Sequence, residues 1–337
     1  MKIKKAITFR ASSIGDCLMA KYLLENIHAE FPQAQCGIVV ASRAGMISNL
    51  LQGYPWIDVI ESNRRDLRTI IHLWRKYRQS DLVVTQYSGK KGGKFSFVSK
   101  IMARILARRG GYIGFNDAFL WNKLIMNTVL PVKSDQAVVW HEREVLRKAG
   151  IPISLPIPTL IIKKIPLILD RFGLVANKFI IVHLFAGGAG RGLNLEKKRE
   201  LIMGIFNHDP SLKLVITGGM EDKEEALRVA DGFSAIVIAG EVNLQELINI
   251  ISESRRVISV DTGIAHITAQ LRKPLIVLRT CVAANWWFRE QYGADAPIKV
   301  LSHDQACAGR HTYKNYPDCI NQIPIAEVVQ AVKDQMN

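Results

Sequence analysis

Six consecutive residues, Asp261-Thr262-Gly263-Ile264-Ala265-His266, put a carboxylate, a hydroxyl, a glycine and an imidazole within reach of one another. They directly follow Val257 to Val260, an apolar run that reads as a buried parallel strand. After the turn Ile264, Ile267 and Leu271 recur on one helical face, Lys273-Pro274 stops the helix, and Leu275 to Leu278 reads as the next strand. The pattern is a βαβ unit whose strand-to-helix turn lies at the carboxyl edge of a parallel sheet, where α/β proteins bind ligands. Free N–H groups and the helix dipole favour an anion at such a helix start.

Two further turns share this chemistry. Phe179 to His183 reads as a strand and runs into the glycine-rich stretch Gly187-Gly188-Ala189-Gly190 followed by Arg191. That stretch matches neither the dinucleotide fingerprint nor the P-loop. Two turns and an arginine can still cradle a diphosphate through backbone N–H groups and a guanidinium fork. An exposed loop arginine and a sheet-packed histidine are the plainer readings of Arg191 and His266. Near the N-terminus the strand Lys5 to Phe9 leads through a polar turn to Gly15-Asp16. Asp16 reads as a helix N-cap or as a general base.

The elements that must position these residues alternate throughout. Strands are expected at Lys5–Phe9, Gly37–Val40, Ile57–Ile60 and Asp81–Thr85, then at Phe179–His183, Lys213–Thr217, Ala235–Ile238, Val257–Val260 and Leu275–Leu278, with helices between them. This is the doubly wound α/β pattern. A chain of 337 residues exceeds most single cores. The proline-rich connector Ile151 to Pro158, after a helix ended by Gly150, marks the boundary. The expected domains are 1–155 and 156–337, two Rossmann-like units with parallel sheets facing a central cleft. The last helix, 324–336, can pack back on the first.

Lysine plus arginine exceed aspartate plus glutamate to give a net charge of +15, which points to an anionic partner. Between Phe95 and Arg109, Lys100, Arg104 and Arg108 fall four apart and form a basic ridge, with Lys90, Lys91, Lys94 and Arg109 at the ends. The ridge is either the solvated face of a core helix or a surface for a phosphorylated or lipid-linked substrate. Aromatics for base stacking are sparse there, which weighs against nucleic acid. No uncharged run reaches the roughly 18 residues of a membrane span, and no signal-peptide core follows Met1, so a cytosolic location is expected. The five scattered cysteines argue against a disulfide framework. Cys307 and Cys319 read as free thiols in a packed tail, a metal site with His303 and His311 being the alternative.

Arg10-Ala11-Ser12-Ser13-Ile14-Gly15-Asp16 and Asp261-Thr262-Gly263-Ile264-Ala265-His266 resemble the two signature segments of the bacterial lipopolysaccharide heptosyltransferases, glycosyltransferase family 9. The resemblance runs over nearly the whole chain. It implies a GT-B fold and inverting transfer of heptose from ADP-heptose to an anionic lipopolysaccharide inner-core acceptor. No cofactor or obligatory metal and no nucleic acid partner are implied, and the enzyme would sit peripherally at the inner face of the inner membrane. Residue by residue, it makes Asp16 the catalytic base and places Arg191, Glu221, Asp261, Thr262, Gly263 and His266 at the donor, with Glu221 toward the ribose hydroxyls. Arg10, Ser13, Lys100, Arg104 and Arg108 fall on the acceptor side. Leu193-Asn194 stands where the family commonly has Trp-Pro, and Lys21-Tyr22 where a proline often opens the helix. The rival readings are a GT-B enzyme with another donor or acceptor, an epimerase of the same architecture, and a non-enzymatic anion binder.

Overall fold

The computed structural model describes the chain except residues 1, 11–12, 42–44, 62–66, 86–93, 117–120, 188–190, 210, 304–306, 308–317 and 335–337. Expectations that fall on Lys90, Lys91, Gly188 to Gly190 and His311 therefore lie outside the described residues. The chain divides into two compact units, Met1–Pro158 and Thr159–Asn337.

The first unit is built on β1 (Lys5–Arg10), β2 (Gln35–Val40), β3 (Ile57–Glu61), β4 (Leu82–Thr85), β5 (Tyr112–Phe115) and β6 (Thr128–Leu130). They form one six-stranded sheet in the order β3-β2-β1-β4-β5-β6, with parallel pairing throughout. The second unit is built on β7 (Phe179–His183), β8 (Lys213–Ile216), β9 (Ala235–Val237), β10 (Arg256–Val260), β11 (Leu275–Arg279) and β12 (Ile298–Ser302). Its order is β12-β11-β10-β7-β8-β9, again parallel. Both orders are the doubly wound 3-2-1-4-5-6, so the strand order reverses between β1 and β4 and between β7 and β10. A crevice forms where it reverses, because successive connections leave for opposite faces of the sheet.

Strand burial follows from this layering. β7 and β10 are buried along their whole length, as strands covered by helices on both faces must be. β5, β6 and β12 escape a pattern-based reading. β5 has four residues including Gly114, β6 has three, and β12 is an edge strand carrying exposed Lys299.

The boundary lies where the hydrogen bonds change allegiance. The helix Val139–Lys148 ends with Gly150 at φ +70°, and the Ile151 N–H returns to Leu146 O at 2.9 Å. Glycine adopts that left-handed turn without a Cβ clash. Leu155 N–H then donates to Asn26 Oδ1 at 2.9 Å, within the first unit. From Leu160 the partners belong to the second: Leu160 N–H to Gln270 O at 3.0 Å and Ile165 N–H to Asn249 Oδ1 at 2.9 Å.

The last helix, Ile325–Asp334, packs within the second unit. Ile325, Val328 and Val332 join Ile202 and Ile205 in that core, and Arg256 Nη1 donates to Val332 O at 2.9 Å. Gly204 permits the approach, since a Cβ there would lie 2.7 Å from Val329 Cγ2.

Candidate functional site

In the second unit the turns after β7 and β10, the two strands at the reversal, carry the predicted anion-binding residues. Thr262 is the N-cap of the helix Gly263–Gln270 but makes no side-chain capping bond. Its Oγ1 is buried with no hydrogen-bond partner among the described residues. The first N–H groups of a helix have no intrahelical acceptor. Here an unmet hydroxyl joins them, and an anion with several oxygens would satisfy both. Arg191 reaches over from the turn after β7 and donates from Nη2 to Asp261 O at 3.0 Å. Asp261, Thr262, Gly263 and Arg191 are thus brought together.

Behind this turn stands an aromatic wall that the sequence reading missed. The 3-10 helix Cys281–Trp287 follows β11. Trp287 Nε1–H donates to Asp261 Oδ1 at 3.0 Å, and the Trp287 ring stacks on His266 with centroids 4.8 Å apart and an 11° tilt. Trp286 covers His266 as well, at 4.7 Å, and Tyr292 Oη lies 2.7 Å from His266 Nδ1. His266 Nε2 is 3.6 Å from Asp261 Oδ1. Burial, with Arg191 nearby, lowers the His266 pKa to about 3, so the imidazole is neutral at physiological pH. It acts as a packed polar support for Asp261 and offers the anion no positive charge. Burial raises the Asp261 pKa, opposed by the Trp287 hydrogen bond and by Arg191 and Arg279. The adjacent tryptophans just past a strand were the available signal, but their contact with Asp261 is tertiary.

Glu221 lies in the 3-10 helix Met220–Asp222 after β8 and is exposed. Its neighbour Asp222 is engaged locally, accepting from Gly219 N–H at 2.8 Å. Of the two acids, Glu221 is the one turned outward. His183, at the end of β7, lies with Nδ1 2.9 Å from Thr217 Oγ1, and burial lowers its pKa to about 4.

In the first unit Asp16 is the third residue of the helix Ile14–Glu30, and Ser13, not Asp16, is its N-cap. Asp16 N–H donates to Ser13 Oγ at 3.1 Å, and Ser13 Oγ–H donates back to Asp16 Oδ2 at 2.6 Å. Asp16 is half-buried, at the carboxyl end of β1 beside the strand reversal. Arg10, expected to meet an acceptor, is 2% exposed and forms a buried ion pair with Glu142 of the helix Val139–Lys148. Burial raises the Glu142 pKa and the Arg10 guanidinium opposes it. Arg10 is therefore a structural residue that ties β1 to that helix.

The basic ridge is also corrected. The helix Lys94–Leu106 ends three residues before Arg109, because Arg108 N–H leaves it for Ser80 O at 3.0 Å. Lys100 is 2% exposed and donates from Nζ to Asn122 Oδ1 at 2.9 Å. Arg108 pairs with Asp81 at 2.6 Å. Of the three, Arg104 is exposed and Arg108 partly so. The outward face is apolar instead: Phe97, Val98, Ile101 and Ile105 are exposed, as are Ile70, Ile71 and Trp74 on the adjoining helix Leu67–Tyr77.

Residues 196–281 match the family model of glycosyltransferase family 9 (heptosyltransferase). The stretch takes in β8 to β11, Glu221 and the whole Asp261–His266 turn. This region of the second unit is similar to glycosyltransferase family 9. Lipopolysaccharide heptosyltransferase 1 of Salmonella typhimurium is 35% identical over 80 residues, 24% of this chain and 25% of that protein. The Escherichia coli K12 counterpart is 32% identical over 83 residues, 25% of this chain and 26% of that protein. The match thus spans about a quarter of the curated relatives' length. Over whole chains the likeness is one of fold. A family 9 glycosyl transferase from Veillonella parvula superposes with a TM-score of 0.77 at 15% identity, covering 99% of this chain and 97% of that one. E. coli heptosyltransferase WaaC with ADP gives 0.71 at 18%, covering 98% and 99%. The fold of this chain is GT-B, two doubly wound units with all-parallel sheets.

Proposed function

We propose that this chain is an inverting glycosyltransferase that moves a heptose from ADP-heptose to the anionic inner core of lipopolysaccharide. The observation that carries the reading is the anion seat at the β7–β10 reversal: a helix start with an unsatisfied Thr262 hydroxyl and Arg191 locked onto the preceding carbonyl. A nucleoside diphosphate fits that seat. Its adenosine is supported by WaaC, solved with ADP and with ADP-2-deoxy-2-fluoro heptose. In this reading Glu221, exposed after β8, accepts hydrogen bonds from the ribose hydroxyls.

In the reaction the acceptor hydroxyl attacks the anomeric carbon from the face opposite the diphosphate. A new glycosidic C–O bond forms as the bond to the diphosphate oxygen breaks, and Asp16 takes the hydroxyl proton. Such general-base assistance contributes ~10²–10⁴ in rate. The Thr262 and Gly263 amides and Arg191 stabilise the charge that develops on the leaving diphosphate. This step uses no metal ion. Asp261 stays fixed by Trp287 and lies beside the diphosphate seat.

Among the described residues no helix is long and apolar enough to cross a membrane. The apolar face of Trp74, Phe97, Ile101 and Ile105, with exposed Arg68, Arg75 and Arg104 beside it, supports peripheral docking on an anionic bilayer at the cytoplasmic face. A thermal-shift panel of ADP, GDP and UDP, followed by transfer of radiolabelled heptose from ADP-heptose to heptose-deficient lipopolysaccharide, tests the reading. ADP should raise the melting temperature most, and label should enter the lipid. A larger shift with UDP would move the donor to another sugar nucleotide. No shift with any nucleotide, and no transfer, would refute the reading.

A further inference from the structure

We infer that Cys281, Cys307 and Cys319 form a thiolate site for a thiophilic divalent cation, zinc(II) or iron(II). Their sulfurs lie within 4.8 Å of one another. They arrive from three separate segments: Cys281 opens the 3-10 helix after β11, Cys307 follows β12, and Cys319 sits in the 3-10 helix Asp318–Gln322. Cys307 and Cys319 are 3% and 4% exposed. None of the three is disulfide-bonded, and the two remaining cysteines, Cys17 and Cys36, lie in the first unit.

Chance packing of small apolar side chains does not account for the convergence. Three stretches of chain, two of them twelve positions apart, each contribute one sulfur to a cluster within 4.8 Å. Tetrahedral zinc–thiolate geometry, with bonds of ~2.3 Å, sets sulfurs ~3.8 Å apart, so the cluster is close to the required size and needs only a small inward movement. Thiolates prefer zinc and iron over magnesium or calcium, which take oxygen ligands. Three sulfurs leave a fourth coordination position for solvent or another donor.

Without a metal, burial and the neighbouring thiols push the Cys281 pKa up to about 12, and burial raises that of Cys319. The Cys307 thiol donates to His303 O at 3.7 Å. Cation binding replaces three S–H bonds with three metal–sulfur bonds and releases three protons to solvent. Affinity should therefore rise with pH.

The site bears on the donor wall without touching it. Cys281 starts the turn that ends in Trp287, and Trp287 holds Asp261. A cation at Cys281 would fix the origin of that turn and, through it, the orientation of the two tryptophans.

The test is metal analysis of the full chain, expressed with zinc and iron supplements and purified without chelator. About one equivalent of bound metal per chain is expected. Cys307→Ser and Cys319→Ser should abolish it, and Cys36→Ala should leave it in place. Should the serine variants fail to fold, the reduced, metal-free wild-type chain titrated with Co²⁺ decides alone. An intense sulfur-to-cobalt charge-transfer band saturating at one equivalent, with a change in tryptophan emission, supports the site. A metal-free protein giving no such band, or a disulfide between any two of the three cysteines in the purified protein, overturns it.

Discussion

Arg191 donates from Nη2 to the main-chain oxygen of Asp261 at 3.0 Å, although 70 positions separate them in the chain. The bond crosses the strand reversal and aims a fixed positive charge at a helix start. Arg191→Ala should weaken ADP binding by roughly 10–100-fold, the range for a hydrogen bond to a charged group. Arg191→Lys should recover the charge but not the fork. Calorimetric titration of the three proteins measures both, and equal affinities would remove Arg191 from the diphosphate site.

Asp16→Asn keeps the size of the side chain and most of its contact with Ser13, yet removes the base. The expectation is a fall in kcat of ~10²–10⁴ with ADP affinity unchanged. Ser13→Ala provides the contrast. It deletes the helix cap at about 1 kcal/mol of stability and should lower the melting temperature more than it lowers turnover. A kcat for Asp16→Asn near that of wild type would discard the base assignment.

Trp287→Phe retains an aromatic ring against His266 but removes the N–H donor to Asp261 Oδ1. A buried carboxylate that loses a donor is destabilised by about 1–3 kcal/mol. The melting temperature should drop, and the donor KM should rise. Pairing this change with Asp261→Ala in a double-mutant cycle isolates the bond. If the two effects simply add, Trp287 does not act through Asp261.

His183 and His266 are held neutral by burial, with pKa values of about 4 and about 3 in the folded chain. Both rise toward ~6.5 on unfolding. The unfolded chain therefore binds more protons between the folded and unfolded values, and stability increases with pH across that interval. This contribution is complete above ~6.5 and is lost as the pH falls below it, by up to ~1.4 kcal/mol per unit per histidine. Urea denaturation at pH 7 and pH 5 should show a lower midpoint at pH 5. His183→Gln should flatten the difference, and a midpoint that moves the other way would contradict the buried neutral state.

Replacing Phe97 and Ile101 with aspartate puts charge on an exposed apolar face without touching the core. Co-sedimentation with phosphatidylglycerol vesicles should fall at least tenfold, and high salt should weaken wild-type binding because arginines rim the face. Unchanged sedimentation would place the lipid contact elsewhere or nowhere.

The fold was legible wherever a strand was apolar from end to end. Val257 to Val260 and Phe179 to His183 announce themselves because both faces of each are covered. Edge strands do not, and β12 with Lys299 has the composition of a loop. At the site, Asp261, Thr262 and Arg191 were legible because a strand, a glycine turn and a helix follow one another in sequence. Arg10 was misjudged because its partner Glu142 is 132 positions away, and only folding joins them. Lys100 was misjudged for a related reason. Four-residue spacing defines a helical face but not the side on which it lies, and Asn122 drew that lysine inward while isoleucines faced out.

The bare start of the helix Gly263–Gln270 has one more consequence. A helix whose N-cap hydroxyl finds no backbone partner is completed by whatever anion arrives. A diphosphate bound there would serve as its cap, so that occupancy and local folding would be one equilibrium. Each product release would loosen the first turn and each new donor would rewind it, a cycle that hydrogen exchange at Gly263 to Ala265 would record.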